Sequence, residues 1–233
     1  MSKIDEAMIF AAGFGKRMLP ITKTIPKPLV RVKNKPLIYY IIDELLNLKF
    51  KNIVVNTHYL QEKLNYSLKK YFPTVRIINE KEILDTGGGL VNAINKNYFY
   101  SSKTPKVLIN GDIFWLKKKK SPLQNLLDNW DEKKMDLLLC VKKKNELNGY
   151  NGIGDFNLVD PQKKVSEVNF NTIKDFVFSG LQIINPNILN LKKKKFSMRE
   201  IFFSNSPKIY GIEDQNDWYH ISTPIDLNII NQK

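Results

Sequence analysis

Apolar and polar residues alternate in blocks along the first 145 residues, and the blocks predict strands alternating with helices. Short apolar runs predict strands over residues 8–12, 51–56, 75–78, 106–110 and 136–141. Apolar positions at helical spacing, such as 37, 38, 41, 42, 45 and 46, contribute to predicted helices over residues 37–48, 61–71, 88–95 and 121–133. This alternation predicts an α/β fold with a doubly wound, mostly parallel sheet.

The pattern changes after about residue 145. Short apolar pieces over residues 156–159, 165–168, 176–184 and 208–212 are separated by Gly, Pro, Asn and Lys. Such pieces predict shorter β segments. We therefore expect a single domain over residues 1–233, with a core over about 1–145 and a small β-rich lobe over about 146–233. The chain shows no internal repeat.

Composition is ordinary for a soluble globular protein, with 42% hydrophobic and 26% charged residues in a chain of 233. No apolar run approaches the roughly 20 residues of a membrane span, so we expect no membrane partner. The first residues, Met-Ser-Lys-Ile-Asp-Glu, lack an apolar signal region, which predicts a cytoplasmic protein. Cys140 is the single cysteine and excludes an internal disulfide; its apolar run predicts core packing.

The formal net charge of +14 raises the question of nucleic-acid binding. All but four of the 37 basic residues are lysines, whereas base readout and bidentate phosphate contacts favour arginine. Eleven of the 33 lysines come in runs at 117–120, 142–144 and 192–195, which predict solvated surface. We expect no nucleic-acid partner, although a binding role for these runs stays open. A basic field also attracts small anionic substrates.

The first strand opens into a glycine loop that contains Gly13, Gly15 and Arg17, and Lys27 follows ten residues later. Glycines let backbone N–H groups turn toward a polyphosphate, and the two cations can neutralise its charge. A Walker A loop requires Ser or Thr where this chain has Arg17, and a dinucleotide-binding turn requires a third Gly where position 18 is Met. The loop indicates nucleotide chemistry of a different kind.

Motifs span nearly the whole length of the chain. They are Gly13, Gly15, Arg17, Pro20, Thr22, Pro26-Lys27-Pro28, Asp85-Thr86-Gly87-Gly88-Gly89, Asn110-Gly111-Asp112, Phe178-Ser179-Gly180 and Trp218 to Thr223. In these motifs the chain closely resembles the sugar-1-phosphate nucleotidylyltransferases. The triple glycine and the Asn-Gly-Asp are most similar to the branch that includes N-acetylmuramate-1-phosphate uridylyltransferase, with mannose-1-phosphate guanylyltransferases as near neighbours. The resemblance implies one Rossmann-like domain of the nucleotide-diphospho-sugar transferase type, whose β-rich part accepts the sugar phosphate.

The resemblance also implies the reaction, in which a sugar 1-phosphate attacks the α-phosphorus of a nucleoside triphosphate and releases pyrophosphate. Arg17 would hold the β- and γ-phosphates and Lys27 would bridge the α-phosphate and the incoming phosphate. The implied nucleotide-binding residues are Ala11, Ala12, Gly13, Gly15, Thr86, Gly87 and Gly88, and the implied sugar-binding residues are Asn110, Glu167 and Gly180.

Asp112 is the candidate ligand for Mg²⁺, which takes one or two carboxylates together with phosphate oxygens. Many relatives carry a second metal-binding Asp in the C-terminal motif, where this chain has His220. Three explanations stay open: Asp112 suffices, His220 binds a softer ion such as Mn²⁺ or contacts a phosphate, or Asp217 moves in.

Several functions are compatible with the sequence. The preferred reaction joins UTP to N-acetylmuramate 1-phosphate, and the runner-up joins GTP to mannose 1-phosphate. Another phosphorylated acceptor, such as phosphocholine, also stays open. A catalytically impaired nucleotide-binding homologue and a lysine-rich RNA-binding protein are the alternatives of other classes. We expect small-molecule substrates and a monomer or homodimer.

Overall fold

A central sheet organises the chain. Among residues 4–118, 120–147, 152–170, 174–204 and 207–232, which the computed structural model describes, nine strands form this sheet and two ribbons have two strands each. In chain order, strands β1 to β13 are Glu6–Phe10, Arg31–Val32, Lys35–Pro36, Asn52–Thr57, Arg76–Asn79, Lys106–Asn110, Ile113–Leu116, Leu137–Lys143, Asn157–Leu158, Val165–Asn169, Phe176–Ile184, Ile209–Glu213 and Asp217–His220. Helices α1 to α6 are Leu37–Asn47, Gln61–Tyr71, Asp85–Asn95, Pro122–Asn129, Met198–Phe202 and Pro224–Gln232.

The strand order of the central sheet is β5-β4-β1-β6-β11-β8-β12-β10-β9. Parallel pairing joins β5, β4, β1 and β6, and also joins β8 to β12. Within the described part of the central sheet, only β10 and β11 run antiparallel to the other strands. The predicted mostly parallel sheet is therefore confirmed.

Buried side chains alternate between the two faces of the sheet, as the pleat of a strand requires. In β1, Ala7 and Ile9 join one apolar cluster, whereas Met8 joins the other. Helices α1, α2 and α4 add apolar residues to the first cluster, and α3 and α5 add them to the second. Helices therefore cover both faces, as predicted. Cys140 lies in the first cluster, where burial raises the pKa of its thiol.

The predicted β segments of the C-terminal part all contain strands, but they extend the central sheet. Strands β11 and β12 lie on the two sides of β8, so they are inside this sheet. The nine residues of β11 pair with β6 on one side and with β8 on the other. The part of the chain that we expected to accept a sugar is thus hydrogen-bonded directly to the nucleotide half.

A two-stranded ribbon of β7 and β13 was not predicted from the sequence. In this antiparallel pair His220 lies opposite Ile113, the residue after Asp112. The amide of Ile221 also donates to the carbonyl of Asp112 at 3.0 Å. The ribbon therefore carries a residue from the end of the chain to the end of β6.

Two helices differ from their predicted bounds. Helix α3 begins at Asp85, three residues before the expected start at position 88. Helix α4 ends at Asn129, four residues before the expected end at 133, because Trp130 adopts an extended backbone and is buried. Apolar spacing alone gave no signal for either end. No helix in the described ranges has the length and apolar character that crossing a bilayer requires.

The lysine run at 142–144 is not wholly solvated, contrary to the prediction. Lys142 is buried in β8 and its Nζ donates to the carbonyls of Asp214 and Asn216 at 2.6 and 3.1 Å. This burial corrects the expectation, which treated the run as loop and surface charge. In the run at 117–120, Lys118 pairs with Asp217, and position 119 lies outside the described residues.

Candidate active site

Two loops leave the sheet side by side, after β1 and after β6. These strands are parallel neighbours, so both loops start at the same edge of the sheet. The amide of Gly111 donates to the carbonyl of Phe10 at 2.9 Å. A Cβ on Gly111 would lie 2.6 Å from that carbonyl oxygen, so only glycine lets the loops approach this closely.

Asp112 follows this glycine and lies at the centre of the site. Its Oδ2 accepts a hydrogen bond from Lys27 Nζ at 2.8 Å and lies 3.0 Å from His220 Nε2. Burial favours the protonated acid, but the hydrogen bond with His220 and the positive charge of Lys27 outweigh it. Together they hold the pKa of the Asp112 carboxyl well below its ordinary value. Asp112 is therefore a carboxylate with two cationic or hydrogen-bonding neighbours.

The glycine loop positions Lys27. Gly15 has a φ of +63°, and a Cβ there would lie 3.1 Å from the Cβ of Lys27 and 3.0 Å from a methyl of Thr22. The Thr22 hydroxyl donates to the Gly15 carbonyl at 2.9 Å, which closes the loop. By contrast, a Cβ on Gly13 would meet nothing within 4 Å. Gly15 therefore shapes the loop, while Gly13 leaves open space beside it.

Two cavities meet at Asn110 and Asp112, which line both of them. The first cavity holds most of the predicted nucleotide-binding residues, and Asn56 and Glu80 line it as well. Its lining includes Ala11, Ala12, Gly13, Lys27 and Thr86. Arg17, Gly180 and His220 line the second cavity. The structure thus brings residues from five separate motifs to one cleft.

Sequence reasoning missed Asn56 and Glu80, which form a buried network under the glycine loop. Asn56 Oδ1 accepts from the amide of Ala11 at 2.8 Å, and Asn56 Nδ2 donates to Glu80 Oε1 at 2.8 Å. Burial raises the pKa of the Glu80 carboxyl, although the Asn56 hydrogen bond opposes this shift. A polar residue within a buried strand, such as Asn56 in β4, was the available signal.

Gly87 and Gly88 do not line either cavity, so the structure does not bring them together with the other predicted nucleotide-binding residues. Both are buried inside α3, and their amides donate to the carbonyl of Phe196 at 2.9 and 3.0 Å. A Cβ on Gly88 would lie 2.3 Å from the carbonyl oxygen of Lys194. These glycines therefore admit the backbone of residues 194–196, and their N–H groups are not available to a ligand.

An irregularity of the β-bulge type in strand β11 borders the second cavity. Gly180 has a φ of +85°, and a Cβ there would lie 3.0 Å from Asn110 Nδ2. The register of β11 on β8 shifts between Phe178 and Gln182, as in a β-bulge. Trp218 Nε1 donates to the carbonyl of Ser179 at 2.9 Å and ties β13 to this bulge.

Glu167 is not brought to this cleft. It lies on β10, near the edge of the sheet, and accepts a hydrogen bond from the Tyr210 hydroxyl at 3.0 Å. It lines neither of the two cavities. The structure therefore does not bring Glu167 together with Asn110 and Gly180, the other predicted sugar-binding residues.

Comparison with known proteins identifies the family. The model of the family described as Nucleotidyl transferase matches residues 6–176, which is well over half of the chain. The chain belongs to the nucleotidyl transferase family. The resemblance inferred from the motifs is therefore confirmed, and the matched region contains β1, the glycine loop and Asp112.

Curated relatives of this nucleotidyl transferase act on sugar phosphates, according to their names. N-acetylmuramate alpha-1-phosphate uridylyltransferase from Caulobacter vibrioides is 28% identical over 94% of this chain and 92% of its own length. D-glycero-alpha-D-manno-heptose 1-phosphate guanylyltransferase from Aneurinibacillus thermoaerophilus is 27% identical over 95% of this chain and 94% of its own. Mannose-1-phosphate guanyltransferase from Saccharomyces cerevisiae is 27% identical, and this chain spans 62% of its length.

Solved structures share the fold of this nucleotidyl transferase. HddC from Yersinia pseudotuberculosis, complexed with GMP-PN, has a TM-score of 0.75 at 22% identity and covers 98% of this chain and 99% of its own. A UDP-glucose pyrophosphorylase complexed with UDP-glucose has a TM-score of 0.79 at 15% identity, covering 98% of this chain and 97% of its own. At these identities the comparison shows the fold alone.

The donor set of this nucleotidyl transferase is small for a metal ion. Within the described residues, no three His, Cys, Asp or Glu side chains are grouped to hold one. Asp112 Oδ2 contacts both Lys27 Nζ and His220 Nε2. Its other carboxylate oxygen, Oδ1, has no hydrogen-bond partner among the described residues. Asp217 pairs with Lys118 and lines neither cavity. One carboxylate oxygen and one imidazole are therefore the protein ligands that the site could offer.

Proposed function

We propose that this protein transfers a nucleotidyl group from a nucleoside triphosphate to a sugar 1-phosphate, giving an NDP-sugar and pyrophosphate. The position of Asp112 carries the proposal. This residue lies where two cavities meet, and Lys27 and His220 contact its carboxylate. Two anionic substrates that approach from the two cavities would bring their phosphates together beside these groups.

The first cavity fits the nucleotide. The backbone of Ala11, Ala12 and Gly13 borders it, and the open space at Gly13 admits a phosphate close to the main chain. Glu80 and Asn56 lie deeper in the network under Ala11 and line the same cavity. A buried carboxylate there would accept a hydrogen bond from an N–H group of the base.

The second cavity fits the sugar phosphate. Arg17, which the resemblance placed at the β- and γ-phosphates of the nucleotide, lines this cavity together with His220, whose imidazole contacts Asp112. Asn110 and Gly180 would face the sugar ring. Arg17 would neutralise phosphate charge, because a guanidinium binds phosphate oxygens through two parallel hydrogen bonds.

The chemistry requires alignment and charge neutralisation. An oxygen of the sugar 1-phosphate forms a bond to the α-phosphorus of the nucleotide, and the bond between that phosphorus and the pyrophosphate oxygen breaks. The attacking phosphate is already ionised near neutral pH, so no general base is required. Lys27 would exchange part of its interaction with Asp112 for the phosphate oxygens, where positive charge stabilises the transition state.

Asp112 and His220 would be the residues that hold a divalent cation for this reaction, together with the substrate phosphates. Mg²⁺ accepts one carboxylate of this kind, and imidazole suits Mn²⁺ better than Mg²⁺. The ion would supply additional neutralisation of the phosphates when bound.

UTP and N-acetylmuramate 1-phosphate are the preferred substrate pair. This preference is supported by the relative from Caulobacter vibrioides, of which the chain covers 92%. GTP with a mannose-type 1-phosphate is the second candidate, supported by the guanylyltransferases that match the chain. Glu80 does not distinguish the bases, because uracil and guanine both present an N–H donor.

The experiment is pyrophosphate release by the purified protein, with UTP or GTP paired with N-acetylmuramate 1-phosphate or mannose 1-phosphate. Each pair is measured in Mg²⁺ and in Mn²⁺, and omission of either substrate is the control. We expect turnover with UTP and N-acetylmuramate 1-phosphate. Turnover only with GTP and mannose 1-phosphate would support the second candidate. Nucleotide binding without turnover of any acceptor would contradict the proposal and indicate a non-catalytic homologue.

A further inference from the structure

Arginine is rare in this chain, and its placement is selective. The chain has four arginines among 37 basic residues. Arg31 and Arg76 donate to backbone carbonyls of Asn34 and Tyr98, both at 2.5 Å, and line neither of the two cavities. The other two line the second cavity: Arg17 and Arg199. The proposed function assigns neutralisation of phosphate charge to Arg17 and gives no role to Arg199.

Arg199 is held at the cavity by a carboxylate. Its Nη1 donates to Asp155 Oδ1 at 2.9 Å, and Asp155 also lines the cavity. The other carboxylate oxygen of Asp155 accepts from the amide of Phe178 at 2.9 Å, so backbone of β11 fixes this anchor. The Asp155 side chain is 14% exposed, whereas that of Arg199 is 58% exposed.

The chain before Asp155 is also constrained. Gly154 has a φ of +88°, and a Cβ there would lie 2.2 Å from the carbonyl oxygen of Lys174. The amide of Asp155 donates to the carbonyl of Phe176 at 2.8 Å. Asp155 therefore has a fixed position, and it orients the guanidinium of Arg199 through one N–H group. Among the described residues the guanidinium has no other hydrogen-bond partner, and its Cζ lies 5.9 Å from the centroid of the Phe203 ring.

Arg199 reaches the cavity from different elements than the groups around Asp112. It comes from α5 and is anchored beside β11, whereas Arg17 and His220 come from the glycine loop and from β13. The 1-phosphate of a substrate already has Lys27 and His220 beside Asp112, and Arg17 lines the same cavity as His220. A neutral hexose would give Arg199 no anionic partner.

We propose that Arg199 recognises a carboxylate on the acceptor, so that the preferred sugar 1-phosphate carries a second anionic group. This inference rests on the proposed function, because it assigns the second cavity to the acceptor. A guanidinium binds a carboxylate through two parallel hydrogen bonds. Asp155 accepts from Nη1 of Arg199 alone, so the guanidinium keeps enough N–H donors for that contact. Arg199 is a specificity residue and takes no part in the bond exchange at phosphorus.

The test compares two acceptors that differ in the carboxylate. N-acetylmuramate 1-phosphate carries a lactyl carboxylate, and N-acetylglucosamine 1-phosphate lacks it. We expect Arg199→Gln to raise KM for the first acceptor by about 10- to 100-fold, the range for a lost charge-assisted hydrogen bond. KM for the second should change less than about threefold, and kcat for either should change little. Arg199→Lys keeps the charge without the fork and should give an intermediate effect.

Arg31→Gln is the matched control, since Arg31 lies outside the cavity; it should leave both KM values unchanged. Equal effects of Arg199→Gln on the two acceptors, or no effect on either, would overturn the inference while the proposed function stands.

If the wild-type protein turns over neither acceptor, the proposed function fails. Calorimetric binding of the same two compounds then tests Arg199 directly. Selective weakening of N-acetylmuramate 1-phosphate binding in Arg199→Gln supports the inference, and unchanged or equally weakened binding overturns it.

Discussion

The imidazole of His220 lies 3.0 Å from the carboxylate oxygen of Asp112 that also accepts a hydrogen bond from Lys27. These three residues come from β13, from the end of β6 and from the glycine loop. The contact between His220 and Asp112 therefore connects the last part of the described chain to the first.

The contact between His220 and Asp112 predicts how a carboxylate at position 220 would change metal binding. His220→Asp would place an additional oxygen ligand beside Asp112, where hard divalent ions prefer oxygen. We expect the Mg²⁺ concentration for half-maximal activity to fall by about tenfold or more, and any preference for Mn²⁺ to weaken. The measurement is a titration of pyrophosphate release with each metal.

Asp217→Asn is the control for the His220 variant. Asp217 is three residues away and pairs with Lys118 outside the cleft. The metal titration should be unchanged in this variant. A large loss of activity there would mean that Asp217 moves in to bind the ion, contrary to our assignment.

Lys27 should be required for turnover and dispensable for folding. Lys27→Met removes the positive charge at the junction of the cavities, and we expect kcat to fall by about 100- to 1,000-fold, as for one lost donor to transition-state charge. The matched variant Lys23→Met removes an exposed lysine from the same loop and should retain activity. Similar kcat values for the two variants would refute a role for Lys27 at the phosphates.

Gly15 and Gly13 should respond differently to a methyl group. Gly15→Ala forces a left-handed backbone on alanine and presses a Cβ against Thr22 and Lys27, so it should lower the free energy of unfolding by about 1–2 kcal/mol. Gly13→Ala meets open space and should change it by less than about 0.5 kcal/mol. Urea unfolding of both variants provides the comparison. Equal destabilisation would show that the loop is not held at Gly15.

The ion pair between Glu6 and Lys106 is buried, so replacing Glu6 alone should destabilise the fold strongly. Replacing Lys106 as well should restore much of the stability. Lys106 Nζ lies 2.7 Å from Glu6 Oε2, and both side chains are almost fully buried. Glu6→Gln should reduce the free energy of unfolding by about 3–5 kcal/mol, because an unpaired charge stays buried. The double variant Glu6→Gln/Lys106→Met should recover much of the loss, and a double variant no more stable than Glu6→Gln would contradict this account.

The same pair predicts a pH dependence. Burial tends to raise the pKa of Glu6, but hydrogen bonds from Lys106, Asn52 and the Tyr100 amide outweigh it and place the pKa below its ordinary value. A depressed carboxyl pKa stabilises the fold above the unfolded value of about 4.3 and loses that contribution as the pH falls through the folded value. The stability difference between wild type and Glu6→Gln should therefore shrink below about pH 4, as measured by urea unfolding across pH.

Local pattern was sufficient for much of the fold. Apolar runs located β1 and β6, because these strands are buried on both faces and read as nearly continuous hydrophobic segments. Strand β11 was located by apolar residues on both sides of Ser179 and Gly180. Helix α2 has the predicted bounds, since Pro73 follows soon after its end. The ribbon of β7 and β13 was missed because its pairing is set by contacts between residues about 100 positions apart.

Site residues could be predicted from the sequence where they belong to a motif. Residues that only the tertiary fold brings to the site could not. Asp112, Lys27 and His220 were chosen from the sequence, and the structure brings them together. The sequence could not place Gly87 and Gly88, because a glycine that packs against residues 194–196 looks the same in sequence as one that contacts a ligand. Asp155 and Arg199 carry no local signal, since only the tertiary fold places them in one cavity.

The two cavities share Asn110 and Asp112 in their walls, and this has a consequence for the order of events. A compound that fills both cavities is held by two sites at once, so its second half binds at a high effective concentration. The joined product of a transfer between the cavities would therefore dissociate more slowly than either starting compound.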